Sequence, residues 1–259
     1  MPWTAIGPSS GALRTTSAST SSSSARSTRR RPEGDRRTSA VTSPPKYPRT
    51  PYLPYSPSIA PDSDRLADPS RFVGEQVVVS EKLDGSCTLL HRGEVYGRSV
   101  AAPTRAKWNA MVKKHHAWKM RERDVFLYGE DIYGVHSIEY EPVREDETFY
   151  AFALRDAKDR FASFEALVDF AGQREIPVVP VLFDGVFDSE NALRGFVEET
   201  HAEPSALGGE REGVVIRLAR SFPASEFELS VCKSVRAGHV QSDEHWTRNW
   251  RPCRIARAG

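Results

Sequence analysis

Large apolar residues, which a folded domain needs for its core, are few in the first 44 residues of this 259-residue chain. That segment is rich in serine, threonine and arginine, and residues 21–24 are all serine. Such a composition buries too little apolar surface to offset the conformational entropy that folding removes. We therefore predict a disordered tail over residues 1–44 and one folded domain over residues 45–259.

The charge of the chain is unevenly divided between these two parts. The tail has seven arginines and two acids, which give it a charge of +5, whereas the remainder carries −4 and the whole chain +1. An acidic domain can bind nucleic acid only through a local cluster of cations. The overall charge therefore gives no support for nucleic-acid binding.

The tail also bears on where the protein is found. It lacks the apolar segment of a secretory signal, and although its arginines and serines resemble those of a transit peptide, we interpret it as a flexible extension or the product of an upstream start codon. No stretch approaches the roughly 20 apolar residues of a membrane span. The three cysteines include no Cys-x-x-Cys pair, which argues against a disulfide framework or a zinc site. We predict a cytoplasmic protein with no membrane partner.

Short β-branched runs and a few helical stretches follow one another without regular strand–helix–strand alternation. The predicted strands are residues 76–80, 88–90, 94–98, 125–128, 148–154, 178–182, 213–218 and 228–235. The predicted helices are residues 105–120, 164–173 and 190–199. Hairpins interspersed with helices in this way are typical of the α+β class.

A lysine stands where the first predicted strand enters a turn, in the run Glu81-Lys82-Leu83-Asp84-Gly85-Ser86. A lysine amine is a poor nucleophile at its ordinary pKa near 10.4, and burial or a neighbouring cation activates it. An ordinary surface turn has the same residues, so this run alone is a moderate indication of catalysis.

Five further segments also place an acid, a base or an aromatic ring at or near a strand end. They are Tyr96-Gly97-Arg98-Ser99, Tyr128-Gly129-Glu130, Tyr150-Ala151-Phe152, Glu212-Gly213-Val214-Val215-Ile216-Arg217 and Val231-Cys232-Lys233-Ser234-Val235-Arg236. Together they supply a nucleophile, cations for phosphate, carboxylates for metal and an aromatic ring for stacking. Alone, Phe152 would be a core residue and Arg98 a solvated strand end.

These six segments, in this order, resemble motifs I, Ia, III, IIIa, IV and V of the covalent nucleotidyltransferases, and most closely the ATP-dependent RNA ligase family. Residues 47–53, 136–140 and 239–246 also resemble that family. The resemblance covers roughly residues 45–250. It implies a ligase adenylation domain, with antiparallel sheets flanking a nucleotide cleft.

The resemblance also implies a role for each matched residue. Lys82 would take AMP from ATP, and Lys233 would neutralise the α-phosphate. The residues that would bind the nucleotide are Glu81, Asp84, Gly85, Arg98, Glu130, Phe152 and Glu212. Glu212 would also place Mg²⁺ or Mn²⁺, and Arg49, His239 and Trp246 would contact the RNA, or possibly DNA or a nicked duplex. The products would be a joined 3′-hydroxyl and 5′-phosphate.

One motif departs from the family, because Val231 stands where many ligases have the first of two lysines. Which cation meets which phosphate is therefore open. DNA ligases and capping-type transferases are alternatives, but about two dozen residues follow Lys233, fewer than their OB-fold domain requires. An inactive module that binds nucleic-acid ends is the third alternative, and the intact set of charged motif residues argues against it.

Overall fold

The computed structural model describes residues 43–60, 65–239 and 247–256. Its strands are β1 (Gln76–Lys82), β2 (Ser86–His91), β3 (Glu94–Tyr96), β4 (Val125–Asp131), β5 (Phe149–Asp156), β6 (Arg160–Phe161), β7 (Val181–Val186), β8 (Gly213–Leu218), β9 (Phe222–Pro223) and β10 (Val231–Val235). Its α-helices are α1 (Ala110–His115), α2 (Phe164–Gly172), α3 (Glu190–Ala202) and α4 (Phe227–Ser230). Within these ranges, no helix is long and apolar enough to cross a bilayer.

The strands form two sheets. The first has the order β10-β8-β1-β7 and the second the order β3-β2-β4-β5-β6-β9. Every pairing between these strands is antiparallel. The predicted α+β class with antiparallel sheets is confirmed.

Strand β1 lies at the centre of the first sheet and is buried on both faces. Side chains alternate between the faces of a strand, so Val77 and Val79 pack on one side with Leu193 of α3. Val78 packs on the other side with Leu167 of α2. The continuous β-branched run in the sequence reflects this double burial.

Most predicted elements differ from the structure by a few residues at their ends, and three of the differences have a physical explanation. Residues 105–120 form no single helix, because α1 ends at His115 and the flanking turns, Lys107–Asn109 and Ala117–Met120, are 3-10 helices. The His116 ring lies within hydrogen-bond distance of the Asp146 carbonyl (2.9 Å), and this buried polar contact marks the break. Helical periodicity alone could not reveal it.

The other two differences are at strand ends. Residues 228–230 belong to α4 rather than to the last strand, which begins at Val231. The strand predicted from residue 178 begins at Val181, because Pro180 has no N–H to donate to a sheet. Val178 instead forms an isolated parallel bridge with Ala151.

A segment before β1 extends the first sheet. The N–H of Leu53 donates to the Lys233 carbonyl (2.8 Å), and the N–H of Lys233 donates to the Pro51 carbonyl (2.9 Å). The Leu53 side chain is fully buried. The Tyr128 hydroxyl donates to the Pro45 carbonyl (2.8 Å), so contacts begin close to the predicted domain boundary. That boundary remains a prediction, since residues 1–42 lie outside the described ranges.

Truncation tests this boundary. A chain that begins at Ser43 should keep the free energy of unfolding of the full chain, whereas one that begins at Pro54 should not fold. Leu53→Ala should lower the free energy of unfolding by about 2–5 kcal/mol, the usual cost of emptying a buried leucine site. Urea denaturation of the four proteins measures this, and full stability of the Pro54 chain would contradict it.

Candidate active site

The turn after β1 connects the two sheets. Lys82 ends β1 in the first sheet, and Ser86 begins β2 in the second. A Cβ atom at Gly85 would lie 2.6 Å from the Asp131 carbonyl oxygen, so glycine is required for this close approach. The turn therefore places Lys82 where the sheets meet.

The Lys82 amine is held by a buried carboxylate. Its Nζ lies 2.5 Å from Oε1 of Glu212, the residue that precedes β8. Strand β8 approaches β10 so closely that a Cβ at Gly213 would lie 2.1 Å from the Ser234 carbonyl oxygen. Burial lowers the pKa of Lys82, but Glu212, Glu130 and Asp84 outweigh it and leave the pKa above its usual value.

Asp84 fixes the turn to the loop after β4. Its Oδ2 accepts hydrogen bonds from the Ser137 N–H (2.8 Å), the Ser137 hydroxyl (2.8 Å) and the Ile138 N–H (2.7 Å). The Asp84 N–H donates to the Tyr140 hydroxyl (2.7 Å). These bonds hold the backbone two residues after Lys82, so one acid orients the turn.

His239 lies inside this site. Its Nε2 is 3.3 Å from Oε1 of Glu212 and 3.8 Å from Oδ1 of Asp84, and the side chain is buried. One donor atom from each of these three residues lies within 4.8 Å of the others. Two carboxylates and an imidazole at this spacing suit a divalent cation such as Mn²⁺ or Mg²⁺.

Two adjacent acids at the end of β4 are strongly affected by burial. Burial raises the pKa of Glu130 to about 8; Lys82 opposes this shift, and Glu212 and Asp84 add to it. Burial also raises the pKa of Asp131 to about 7, against hydrogen bonds from Asn109 (2.9 Å) and the Tyr133 N–H (3.1 Å). The charges of Glu130 and Lys82 shift each other's pKa, so acids associated with both sheets act on the lysine.

Cations gather beside this acidic cluster. Burial lowers the pKa of Lys233 to about 8, and the positive charges of Lys82, Arg98 and Arg49 lower it further against Glu212. Arg98 and Arg49 line an open cavity of about 420 Å³. The other lining residues are Lys46, Tyr47, Pro48 and Arg65. A cavity with four cationic side chains is suited to phosphate groups.

Two of the residues that the sequence predicts to bind the nucleotide, Glu81 and Phe152, are placed differently from the others. Glu81 points to the face of β1 opposite Lys82, where its carboxylate accepts hydrogen bonds from the Ser205 hydroxyl and the Ala206 N–H. Phe152 is the extra residue of a β-bulge, since Tyr128 pairs with Ala153 and the next residue of β4 with Ala151. The Phe152 ring is half-buried and packs edge-on against Tyr47, with centroids 4.9 Å apart.

The structure thus brings most of the predicted residues to one place. Glu212 contacts both Lys82 and His239, and Asp84 lies within 4 Å of His239. Arg49 and Arg98 share one cavity. Trp246 lies outside the described residues. Asp131 was missed, although it directly follows the Glu130 motif and a second acid there was a usable indication. Tyr140 lies in the stretch 136–140 that resembles the family, but no role was predicted for it.

The raised pKa of Glu130 predicts a pH-dependent stability. Between its ordinary pKa of 4.5 and about 8 the folded chain binds this proton more tightly than the unfolded chain, so stability falls as pH rises through that window. Glutamine has the shape of a protonated glutamate but does not titrate, so Glu130→Gln should reduce this loss of stability with pH. Urea denaturation from pH 5 to 9 measures it, with Glu199→Gln on the exposed side of α3 as control. Equal pH slopes in all three proteins would contradict the prediction.

Comparisons with known proteins bear on the family and the fold of this chain. A family model described as RNA ligase matches residues 75–235. An archaeal ATP-dependent RNA ligase structure is 14% identical, with a TM-score of 0.51, and the alignment covers 74% of this chain and 48% of that one. A mutant RNA ligase of Naegleria gruberi with ATP and Mn is 21% identical, with a TM-score of 0.48 and coverage of 65% and 52%.

The archaeal structure supports the ligase fold, and this chain spans about half the length of either structure. A search of curated proteins found no match. The family model covers well over half of the sequence and includes every strand from β1 to β10. The chain therefore belongs to the RNA ligase family.

Proposed function

We propose that this chain is an ATP-dependent RNA ligase that carries AMP on Lys82. The observation that carries the proposal is the Lys82 amine, 2.5 Å from Glu212 at the junction of two sheets, with cations beside it. Membership of the RNA ligase family supports the activity. ATP as the donor is supported by the related structures, one of an ATP-dependent ligase and one with ATP and Mn.

In the first step, the Lys82 amine attacks the α-phosphorus of ATP. A P–N bond forms, the bond between the α-phosphorus and the bridging oxygen breaks, and pyrophosphate leaves. The amine must lose its proton to solvent first, since only the neutral amine is a nucleophile. Lys233 supplies positive charge to the α-phosphate, and Arg98 and Arg49 supply it to the other phosphates. The protein contributes positioning and charge neutralisation.

Two further transfers complete the reaction. A 5′-phosphate oxygen of the RNA attacks the lysyl-AMP, which breaks the P–N bond and returns the lysine. A 3′-hydroxyl then attacks the 5′-phosphorus, so that a phosphodiester forms and AMP leaves with the electron pair. Both steps involve phosphates at the same centre, so the same cations serve them in turn.

A divalent cation, Mg²⁺ or Mn²⁺, fits the donors of Asp84, Glu212 and His239. When bound, it would supply positive charge that neutralises phosphate oxygens and disfavours the protonated amine. The buried Nδ1 of His239 has no hydrogen-bond partner within the described ranges. We also propose a cytoplasmic location, which is consistent with three free cysteines.

RNA is proposed over DNA because the matching family model is one of RNA ligases. The inactive-module alternative is disfavoured by the intact contacts around Lys82. Sealing of matched RNA and DNA substrates, single-stranded and nicked, decides the choice of polynucleotide. Joining of DNA alone would reject the proposed substrate while leaving the lysyl-AMP chemistry intact.

The nucleophile is tested by incubation with ATP labelled at the α-phosphate. The wild-type chain should retain the label covalently, and Lys82→Ala and Lys82→Arg should not, because arginine keeps the charge but does not deprotonate. Lys158→Ala, at an exposed lysine between β5 and β6, is the matched control and should label normally. A labelled Lys82→Arg protein would overturn the assignment.

The position of Arg49 leads to a second prediction. Since it lines the same cavity as Arg98, Arg49→Ala should slow both self-adenylation and AMP transfer from the pre-adenylated protein, by about 10-fold each for a lost charged hydrogen bond. Both defects should shrink as salt is raised, because screening weakens the wild-type contact that the variant lacks. The control is Arg160→Ala, at an exposed arginine on β6. Normal adenylation with slow transfer would instead assign Arg49 to the polynucleotide alone, as the sequence led us to expect.

A further inference from the structure

The residues before β1 do more than extend the sheet. Tyr52 forms a parallel bridge with Lys233 on one side and with Leu66 on the other. Its N–H donates to the Arg65 carbonyl (3.0 Å), and its carbonyl accepts from the Ala67 N–H (2.7 Å). Pro51 contributes only its carbonyl, so the missing N–H of proline costs no hydrogen bond here. The backbone at Tyr52 is therefore held from both sides.

This pairing places the Tyr52 ring beneath the Lys233 amine. The Nζ of Lys233 lies 4.0 Å from the centroid of the Tyr52 ring, and the tyrosine is 3% exposed. An ammonium this close to an aromatic face is attracted by the negative charge of the π system, and more so where water is excluded. The ring thus limits the positions that the flexible lysine side chain can take.

The electrostatic surroundings of Lys233 make such support necessary. The amine is half-buried, and the charges of Lys82, Arg98 and Arg49 all disfavour its protonated form. Glu212 is the acid that opposes them, and it is already 2.5 Å from Lys82. A neutral aromatic face stabilises the ammonium without neutralising the charge that a phosphate would meet.

We propose that Tyr52 is a positioning residue for the ligase reaction, whose ring holds the Lys233 ammonium in place for the α-phosphate. This inference rests on the proposed function for its catalytic consequence, and on the structure alone for its geometry. The segment that precedes β1 would then be part of the catalytic centre through Tyr52 as well as through the cavity.

Kinetics test the catalytic consequence. Tyr52→Leu should lower the rate constant of self-adenylation about 10-fold with little change in the KM for ATP, whereas Tyr52→Phe should stay within about twofold. Tyr55→Leu is the matched control, since the Tyr55 ring lies in the same segment and contacts Arg194 of α3 instead (5.5 Å). Equal rate losses in Tyr52→Leu and Tyr52→Phe would overturn the proposal, and so would an equal loss in Tyr55→Leu.

A second measurement does not depend on catalysis. Lysines are reductively methylated with ¹³C, and the Lys233 signal is identified by its loss in Lys233→Arg. Ring currents should shift this signal upfield in the wild-type and Tyr52→Phe proteins relative to Lys158, and the shift should vanish in Tyr52→Leu. If Tyr52→Leu does not fold, the test rests on the upfield shift of the Lys233 signal in the wild-type protein. The absence of that shift overturns the proposal. An inactive wild-type protein with the shifted signal would reject the ligase function but keep the geometry.

Discussion

The structure depends on a lysine whose charge is held largely away from water. Removing an ammonium from solvent is unfavourable unless opposite charges surround it, and Lys82 has Glu212 at 2.5 Å with Glu130 nearby. Those two acids come from different sheets, so the sheets must meet at Lys82. The close approaches at Gly85 and Gly213 follow from this requirement, because a side chain at either position would separate the strands that carry the charges.

The same requirement explains why the site is assembled from distant parts of the sequence. Acids that raise the pKa of Lys82 also attract cations, and the cations lie on a loop after β3, on β10 and in the segment before β1. Strand pairing contributes to this assembly, since β1 and β10 flank β8 on opposite sides and the segment before β1 forms a parallel bridge with β10. A reaction on phosphates needs both signs of charge within one cleft. The order of the strands supplies that arrangement.

The sequence predicts local features better than long-range pairings. Strand β8 matches its predicted bounds because a glycine and a run of β-branched residues, Val214–Ile216, define it within six residues. Alternation also implied that Glu81 and Lys82 face opposite sides, an inference that was available from the sequence and not drawn. The contacts of His239 with Glu212 and of Tyr52 with Lys233 depend on which strands are neighbours, and no local pattern records that. The break at His116 depends on a distant carbonyl in the same way.

The valine that replaces a lysine in the last motif can be understood from the same electrostatics. Val231 is 3% exposed and pairs in register with Arg217, whose guanidinium is itself buried and donates to the Ala162 carbonyl (2.7 Å). Burial already lowers the pKa of Arg217 to about 10. A lysine at position 231 would add another cation beside the buried Arg217 and the half-buried Lys233, at a desolvation cost. Under the proposed function, an exposed arginine on the rim of the cavity, Arg49, would bring positive charge to the phosphates without that desolvation cost.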